Sequence, residues 1–189
     1  GGGGFMVIWD AENQRSIALD YRERAPLAAT RDMYDGLDSA ACRKGGLAVA
    51  VPGHVAGLCF ALEKYGSISL DKVLEPAIRF ARDGVVPDEH GRASSPTLSE
   101  ALGKTSRPEF AAILRLYGRD AESRRGTRWV SPQLKALETL ATDGAEAFYG
   151  GEIGDAIART VRQHGGIITS DDLKRMDVVE RAPLTTKFD

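Results

Sequence analysis

Two apolar runs open the chain. Phe5-Met6-Val7-Ile8-Trp9-Asp10 is continuous and rich in β-formers, Ser16-Ile17-Ala18-Leu19-Asp20-Tyr21 is mixed, and Ala11-Glu12-Asn13-Gln14-Arg15 between them is polar and turn-like. This predicts a β-hairpin with a buried first strand. Pro26 to Asp38 is irregular, with an apolar anchor at Met33-Tyr34. Gly45-Gly46-Leu47-Ala48-Val49-Ala50-Val51 predicts a short buried strand that breaks at Pro52-Gly53. The period then changes. Val55, Leu58, Cys59, Leu62 and Tyr65 fall at helical spacing, closed by Gly66. Leu70, Val73, Leu74, Ala77, Ile78 and Ala81 make a second stripe, with Ser69 as N-cap, Gly84 as stop, and Pro76 kinking the helix or marking its first turns.

Residues 85–130 are irregular and rich in Ser, Pro, Gly and Arg, with short helices expected near Thr97–Leu102 and Pro108–Leu114. Leu134, Leu137 and Leu140 predict another helix. Gly150 to His164 is amphipathic through Ile153, Ile157 and Val161, and Thr169-Ser170-Asp171-Asp172-Leu173 reads as a capped helix start. Val178–Arg181 and Leu184–Phe188 read as strands separated by Ala182-Pro183. Strands, then many helices, then strands returning to the first ones indicate an α+β fold rather than regular βαβ winding. The chain opens on Gly1–Gly4 without an initiator Met and stops in a strand-like run, so it reads as truncated at both ends, with a covering segment missing from its sheet.

The glycines before the hairpin are not a phosphate cradle, because a strand follows them where a helix N-terminus is needed. They permit positive φ and close backbone approach. With 42% hydrophobic and 28% charged residues the composition is that of an ordinary globular protein, and a net charge of −2, from 25 Lys+Arg against 27 Asp+Glu, offers no broad positive field for nucleic acid. The densest basic cluster, Arg124-Arg125-Gly126-Thr127-Arg128 next to Arg119, reads as solvated surface. No run approaches the roughly 20 apolar residues of a membrane-spanning helix. Cys42 and Cys59 could form one disulfide, but Cys59 lies on an apolar helix face and reads as a small buried hydrophobe. His54, His90 and His164 are scattered away from any Cys pair, so no metal is expected.

Candidate chemistry concentrates in Leu19-Asp20-Tyr21-Arg22-Glu23-Arg24-Ala25-Pro26. A planar guanidinium recognises a carboxylate with two parallel hydrogen bonds. On residues alone, Arg22 reads as a surface or structural arginine bridging to Glu23 or Asp20. No Ser/His/Asp or paired-carboxylate arrangement stands out by spacing.

The chain resembles the large subunit of the γ-glutamyltransferase (γ-glutamyl transpeptidase) family, of the N-terminal-nucleophile hydrolase class. The matching runs, in order, are Gly1–Phe5; Leu19–Pro26 with Thr30-Arg31-Asp32-Met33; Ala50-Val51-Pro52-Gly53 with Val55-Ala56-Gly57; Glu75-Pro76-Ala77-Ile78 with Ala81-Arg82-Asp83-Gly84; Gly144–Gly151; Gly165-Gly166-Ile167-Ile168-Thr169 with Asp172-Leu173; and Val179-Glu180-Arg181-Ala182-Pro183-Leu184. The resemblance covers nearly all of residues 1–189, read as a single segment of that subunit. It implies a helix-rich, four-layer αββα sandwich built jointly with a small subunit cut from the same precursor, and no cofactor. It implies an enzyme that transfers or hydrolyses the γ-glutamyl group of glutathione and similar γ-glutamyl amides through a γ-glutamyl-threonine intermediate. In that chemistry an N-terminal threonine is the nucleophile and its amine can be the base.

By the same resemblance Arg22 binds the substrate α-carboxylate, and the nucleophile lies in the small subunit. Thr30, Thr169, Thr185 and Thr186 are internal and lack the free amine, so no catalytic residue is expected in this chain, and alone it should be inactive. Asp20 and Glu23 could orient Arg22 or be solvated. His54 reads as a structural residue at a helix start, and Tyr149 as core rather than oxyanion support. Two alternatives stay open: an acylase of glutaryl or other amides on the same scaffold, and a non-catalytic binding relative. The family's usual compartment points to the periplasm or the exterior.

Overall fold

The structure, a computed structural model, describes residues 2–86, 88 and 128–187. Strand β1 (Phe5–Asp10) pairs antiparallel with β2 (Arg15–Asp20), Phe5 opposite Asp20 and Asp10 opposite Arg15. At the turn the Asp10 carboxylate accepts hydrogen bonds from the Asn13 backbone N–H and side-chain amide, at 3.1 and 2.8 Å. Strand β3 (Val179–Arg181) returns to the other side of β2, with Asp20 opposite Val179 and Ala18 opposite Arg181. The hairpin and the returning strand are as the sequence predicts.

The burial of β1 is not. Phe5, Val7 and Trp9 are each more than half exposed, whereas Met6 and Ile8 pack with Ile17, Leu19 and Tyr21 against Phe60, Ala61 and Tyr65. A continuous apolar run does not distinguish a strand covered on both faces from one covered on a single face, since alternate side chains leave on opposite sides. The helix that covers the inner face is α1 (His54–Tyr65), which ends at Gly66 as expected, the Gly66 N–H donating to the Leu62 carbonyl at 2.8 Å.

The expected strand over 45–51 is absent. Gly46–Ala48 forms a single 3-10 turn, and only Val51 makes an extended bridge, to Arg24. Gly46 is wedged against the end of α5 (Glu152–Gln163), where an added Cβ would lie 2.6 Å from the carbonyls of Val161 and His164. That contact bends the segment, so its apolar residues serve a helix–loop core instead of a ladder. The core comprises Val51, Tyr149, Ala158, Val161, Ile168 and Leu173. Short α4 (Ala145–Tyr149) contributes Tyr149, and α6 (Ser170–Lys174) contributes Leu173. The expected capped start of α6 is a full capping box: the Asp172 N–H donates to Thr169 Oγ1 at 3.2 Å, and the Thr169 N–H donates to Asp172 Oδ2 at 2.8 Å. Residues 184–187 do not form the expected strand, and Phe188 lies outside the described residues.

Two compact units divide the chain: Gly1–Asp71 with Thr139–Asp189, and Lys72–Glu138. Both apolar clusters above belong to the first. In the second, α2 (Leu70–Asp83) has most of its residues and continues through Pro76. Gly84 ends it at φ +74, and Val85 bridges Trp129. Helix α3 (Leu134–Asp143) fulfils the leucine stripe, and Arg82 Nη2 meets Glu138 Oε1 at 2.7 Å. The helices expected at 97–102 and 108–114, and the basic residues from Arg119 to Thr127, lie outside the described residues. Among the described residues, no helix is long and apolar enough to cross a membrane.

Candidate functional site

The segment Asp20–Leu27 leaves the end of β2 and is held along its length by backbone and carboxylate contacts. At its start, Tyr21 exchanges backbone hydrogen bonds with Gly4, at 3.0 and 3.3 Å, extending the hairpin by one pair. The Tyr21 ring is buried in a slot lined by glycines. A Cβ on Gly57 would sit 2.2 Å from the ring, and one on Gly53 2.1 Å from the Tyr21 carbonyl oxygen. In the glycine run before β1, Gly3 lies under the Glu23 backbone and Gly4 against the Tyr21 ring, and none of Gly2, Gly3 and Gly4 takes the positive φ also expected of the run.

Further along, Arg24 and Val51 exchange backbone hydrogen bonds at 3.1 and 2.8 Å, and the Arg24 guanidinium pairs with Asp177. Pro26 is buried, and the Leu27 N–H donates to Asp172 Oδ1 at 2.6 Å. Asp172 is the one charged residue buried among those described, and it accepts from Leu27 and from both Thr169 donors. Desolvation pushes the Asp172 carboxyl up. The hydrogen bonds from Leu27 and Thr169 outweigh that and hold it below the usual carboxylate range.

Between these fixed points the Arg22 side chain is 55% exposed, and its guanidinium Nη2 lies 3.4 Å from Glu23 Oε1. Its backbone N–H donates to Asp20 Oδ1 at 3.1 Å, while Asp20 Oδ2 accepts from Arg181 Nε at 2.9 Å and lies 2.8 Å from Arg181 Nη2 in an ion pair. The Arg22 N–H and then Arg181 hold the Asp20 carboxyl below its ordinary range. Asp20 therefore shapes the backbone at Arg22, and Glu23 is the carboxylate nearer the guanidinium. Glu23 Oε2 is shielded from solvent and has no hydrogen-bond partner. The arrangement is a rigid turn presenting a cation to solvent, suited to docking and orienting a small carboxylate.

The other candidates lie around this turn. His54 is the exposed first residue of α1, edge-on to the Tyr21 ring at 6.3 Å. The Tyr149 hydroxyl donates to the Pro52 carbonyl at 2.8 Å and accepts the Ala56 N–H at 3.1 Å; burial pushes its pKa up, against the lowering by that N–H. Tyr149 thus braces the entry to α1 from the core. Thr169 is the α6 N-cap. Cys42 and Cys59 are free thiols. A hollow of about 460 Å³ between Cys59, Leu62, Ile68, Leu70 and Ala145 shares no lining residue with Asp20–Leu27. Among the described residues, no group of His, Cys, Asp and Glu gathers to hold a metal ion. Asp172 and Arg181 were not singled out from sequence as parts of this site. The capping pattern marks Asp172, but its partner Leu27 is 145 positions away and nothing local signals it.

The family model described as "Gamma-glutamyltranspeptidase" matches residues 1–189. The chain is 37% identical over 194 residues to the glutathione hydrolase proenzyme of Escherichia coli strain K12, covering 100% of this chain and 33% of that protein. Its fold superposes on the crystal structure of Helicobacter pylori gamma-glutamyltranspeptidase with a TM-score of 0.87 at 34% identity, covering 100% of this chain and 54% of that one. A cephalosporin acylase from Bacillus halodurans matches with a TM-score of 0.85 at 23% identity, covering 98% of this chain and 35% of that one, a likeness of fold alone. The chain spans about a third of the length of the curated relatives it matches.

Proposed function

The chain belongs to the gamma-glutamyltranspeptidase family of N-terminal-nucleophile hydrolases, and from that membership we propose that the protein containing it transfers or hydrolyses the γ-glutamyl group of glutathione and related γ-glutamyl amides. The chain is the part of the large subunit that carries the wall on which the donor's α-carboxylate docks. Arg22 is the docking group. The observation that carries this reading is its exposed guanidinium on a backbone fixed at Tyr21, Arg24 and Leu27. A small zwitterion held by one end presents its γ-carbonyl at a defined place, and such orientation lowers the barrier by supplying the encounter entropy in advance.

The nucleophile in this reading is the N-terminal threonine of a small subunit, supplied by sequence beyond residues 1–189. Its hydroxyl attacks the γ-carbonyl, its amine takes the proton, and the donor's amine leaves carrying that proton. A γ-glutamyl ester on threonine remains. Water or the amine of an acceptor amino acid then attacks the ester carbonyl and frees the threonine hydroxyl. The open face of β1, with Phe5, Val7 and Trp9 exposed, is an apolar sheet surface of the kind a second sheet covers, which supports a partner subunit there.

The test is expression of the full-length protein, followed by denaturing intact-mass measurement and assay with a γ-glutamyl anilide. Two chains, the smaller beginning with threonine, together with release of the aniline, are the expected result. A single unprocessed chain without turnover overturns the reading. Turnover of a glutaryl amide but not of the γ-glutamyl donor replaces it with an acylase.

A further inference from the structure

Asp20 and Arg181 close the ends of neighbouring strands on one face of the sheet. Asp20 lies opposite Val179, so Arg181 is its diagonal neighbour across the β2–β3 pair, within reach of a long side chain. Arg181 places both Nε and Nη2 on the same oxygen of Asp20, at 2.9 and 2.8 Å, and the other oxygen accepts the Arg22 N–H at 3.1 Å. Both carboxylate oxygens are thereby occupied. Two residues further on, the Arg22 guanidinium has only the 3.4 Å contact with Glu23 as an ion pair among the described residues. Arg24, the other cation near Asp20, is engaged by Asp177.

We propose that Arg181 is a positioning residue that holds the Asp20 carboxylate away from the Arg22 guanidinium, keeping that guanidinium open for the substrate's carboxylate. This rests on the functional reading above. A carboxylate tethered two residues from an arginine fork is an intramolecular competitor, and its effective concentration far exceeds that of a dilute ligand. Released from Arg181, Asp20 would contest the fork whenever substrate is absent. Competition of this kind weakens docking equally in the ground and transition states, so it raises KM and spares kcat.

The experiment uses the full-length protein as wild type, Arg181→Ala, and the double variant Asp20→Asn with Arg181→Ala. Asparagine keeps an oxygen to accept the Arg22 N–H but removes the competing charge. The expected pattern is a roughly tenfold rise in KM for a γ-glutamyl anilide in Arg181→Ala with kcat within about twofold, and return to within about threefold of wild type in the double variant. A donor whose α-carboxylate is converted to an amide should be indifferent to Arg181→Ala, because it does not use the fork. Two results overturn the proposal: a KM that the second substitution leaves high, or an equal loss with the amide donor. Either would make Arg181 merely a staple between strands. If the wild type turns over no γ-glutamyl donor, the functional reading itself fails. Calorimetric binding of free L-glutamate across the same three proteins then decides the proposal, with Arg181→Ala weakened and the double variant restored supporting it, and any other pattern, including no binding by the wild type, overturning it.

Discussion

Gly57 on α1 and Tyr21 at the end of β2 touch so closely that a Cβ on Gly57 would lie 2.2 Å from Cγ of the tyrosine ring. Backbone of one element thus meets the ring of another with no side chain between them. In Gly57→Ala the methyl must displace Tyr21, and overpacking of this kind costs about 1–3 kcal/mol, against which the better helix propensity of alanine returns at most ~1 kcal/mol. The expected outcome is a lower Tm together with a raised KM for γ-glutamyl donors, because Tyr21 precedes Arg22. A variant with wild-type Tm and KM would show that the slot does not anchor the turn.

Arg22→Ala should raise KM for γ-glutamyl donors by a factor equivalent to roughly 2–4 kcal/mol, since it leaves the substrate carboxylate without its partner. Arg22→Lys should recover only part of this, a point charge being unable to reproduce the fork. Steady-state kinetics on the full-length protein decides it, and an unchanged kcat/KM in Arg22→Ala would refute the role.

Tyr149→Phe removes a buried hydroxyl that serves both the Pro52 carbonyl and the Ala56 N–H at the entry to α1. Leaving buried backbone groups without a partner costs about 1–3 kcal/mol. Denaturant unfolding should register the loss, while donors of different leaving group should be affected alike, because the Tyr149 hydroxyl is engaged by the backbone of Pro52 and Ala56. Selective loss of kcat with intact stability would instead give Tyr149 a part in the chemistry.

The Asp172 carboxyl is held below the usual carboxylate range, so it favours the folded state when ionised. Its contribution is present above the unfolded carboxyl's pKa of about 4 and disappears as pH falls through the lower folded value. Asp172→Asn offers a single acceptor oxygen for donors from both Leu27 and Thr169. The variant should be less stable than wild type at neutral pH, with the gap narrowing below about pH 4. Thermal melts across pH 3–8 check this, and a gap that is constant with pH would refute the assignment of the ionised group.

Local pattern was a good guide wherever one face of an element decided its form. The helical stripe from Val55 to Tyr65, the leucines of α3, the hairpin at 5–20 and the cap at Thr169 were all readable, because spacing, capping residues and turn residues act within a few positions of one another. The apolar run at 45–51 misled for a complementary reason. Its conformation is dictated by the end of α5, which arrives from more than 100 residues away and meets Gly46 backbone to backbone.

The same division runs through the site. The order of short motifs around Arg22, together with the chemistry of a guanidinium, was enough to place the chain in its family and to single out Arg22 as the docking residue proposed above, since both rest on residue type and sequence order. What surrounds Arg22 was decided only by tertiary structure. That the Leu27 N–H ends on Asp172, that Arg181 occupies Asp20, and that Tyr21 lies in a slot of glycines all join segments distant in sequence. Contacts of that kind depend on where strands and helices are brought together, and no local periodicity encodes them.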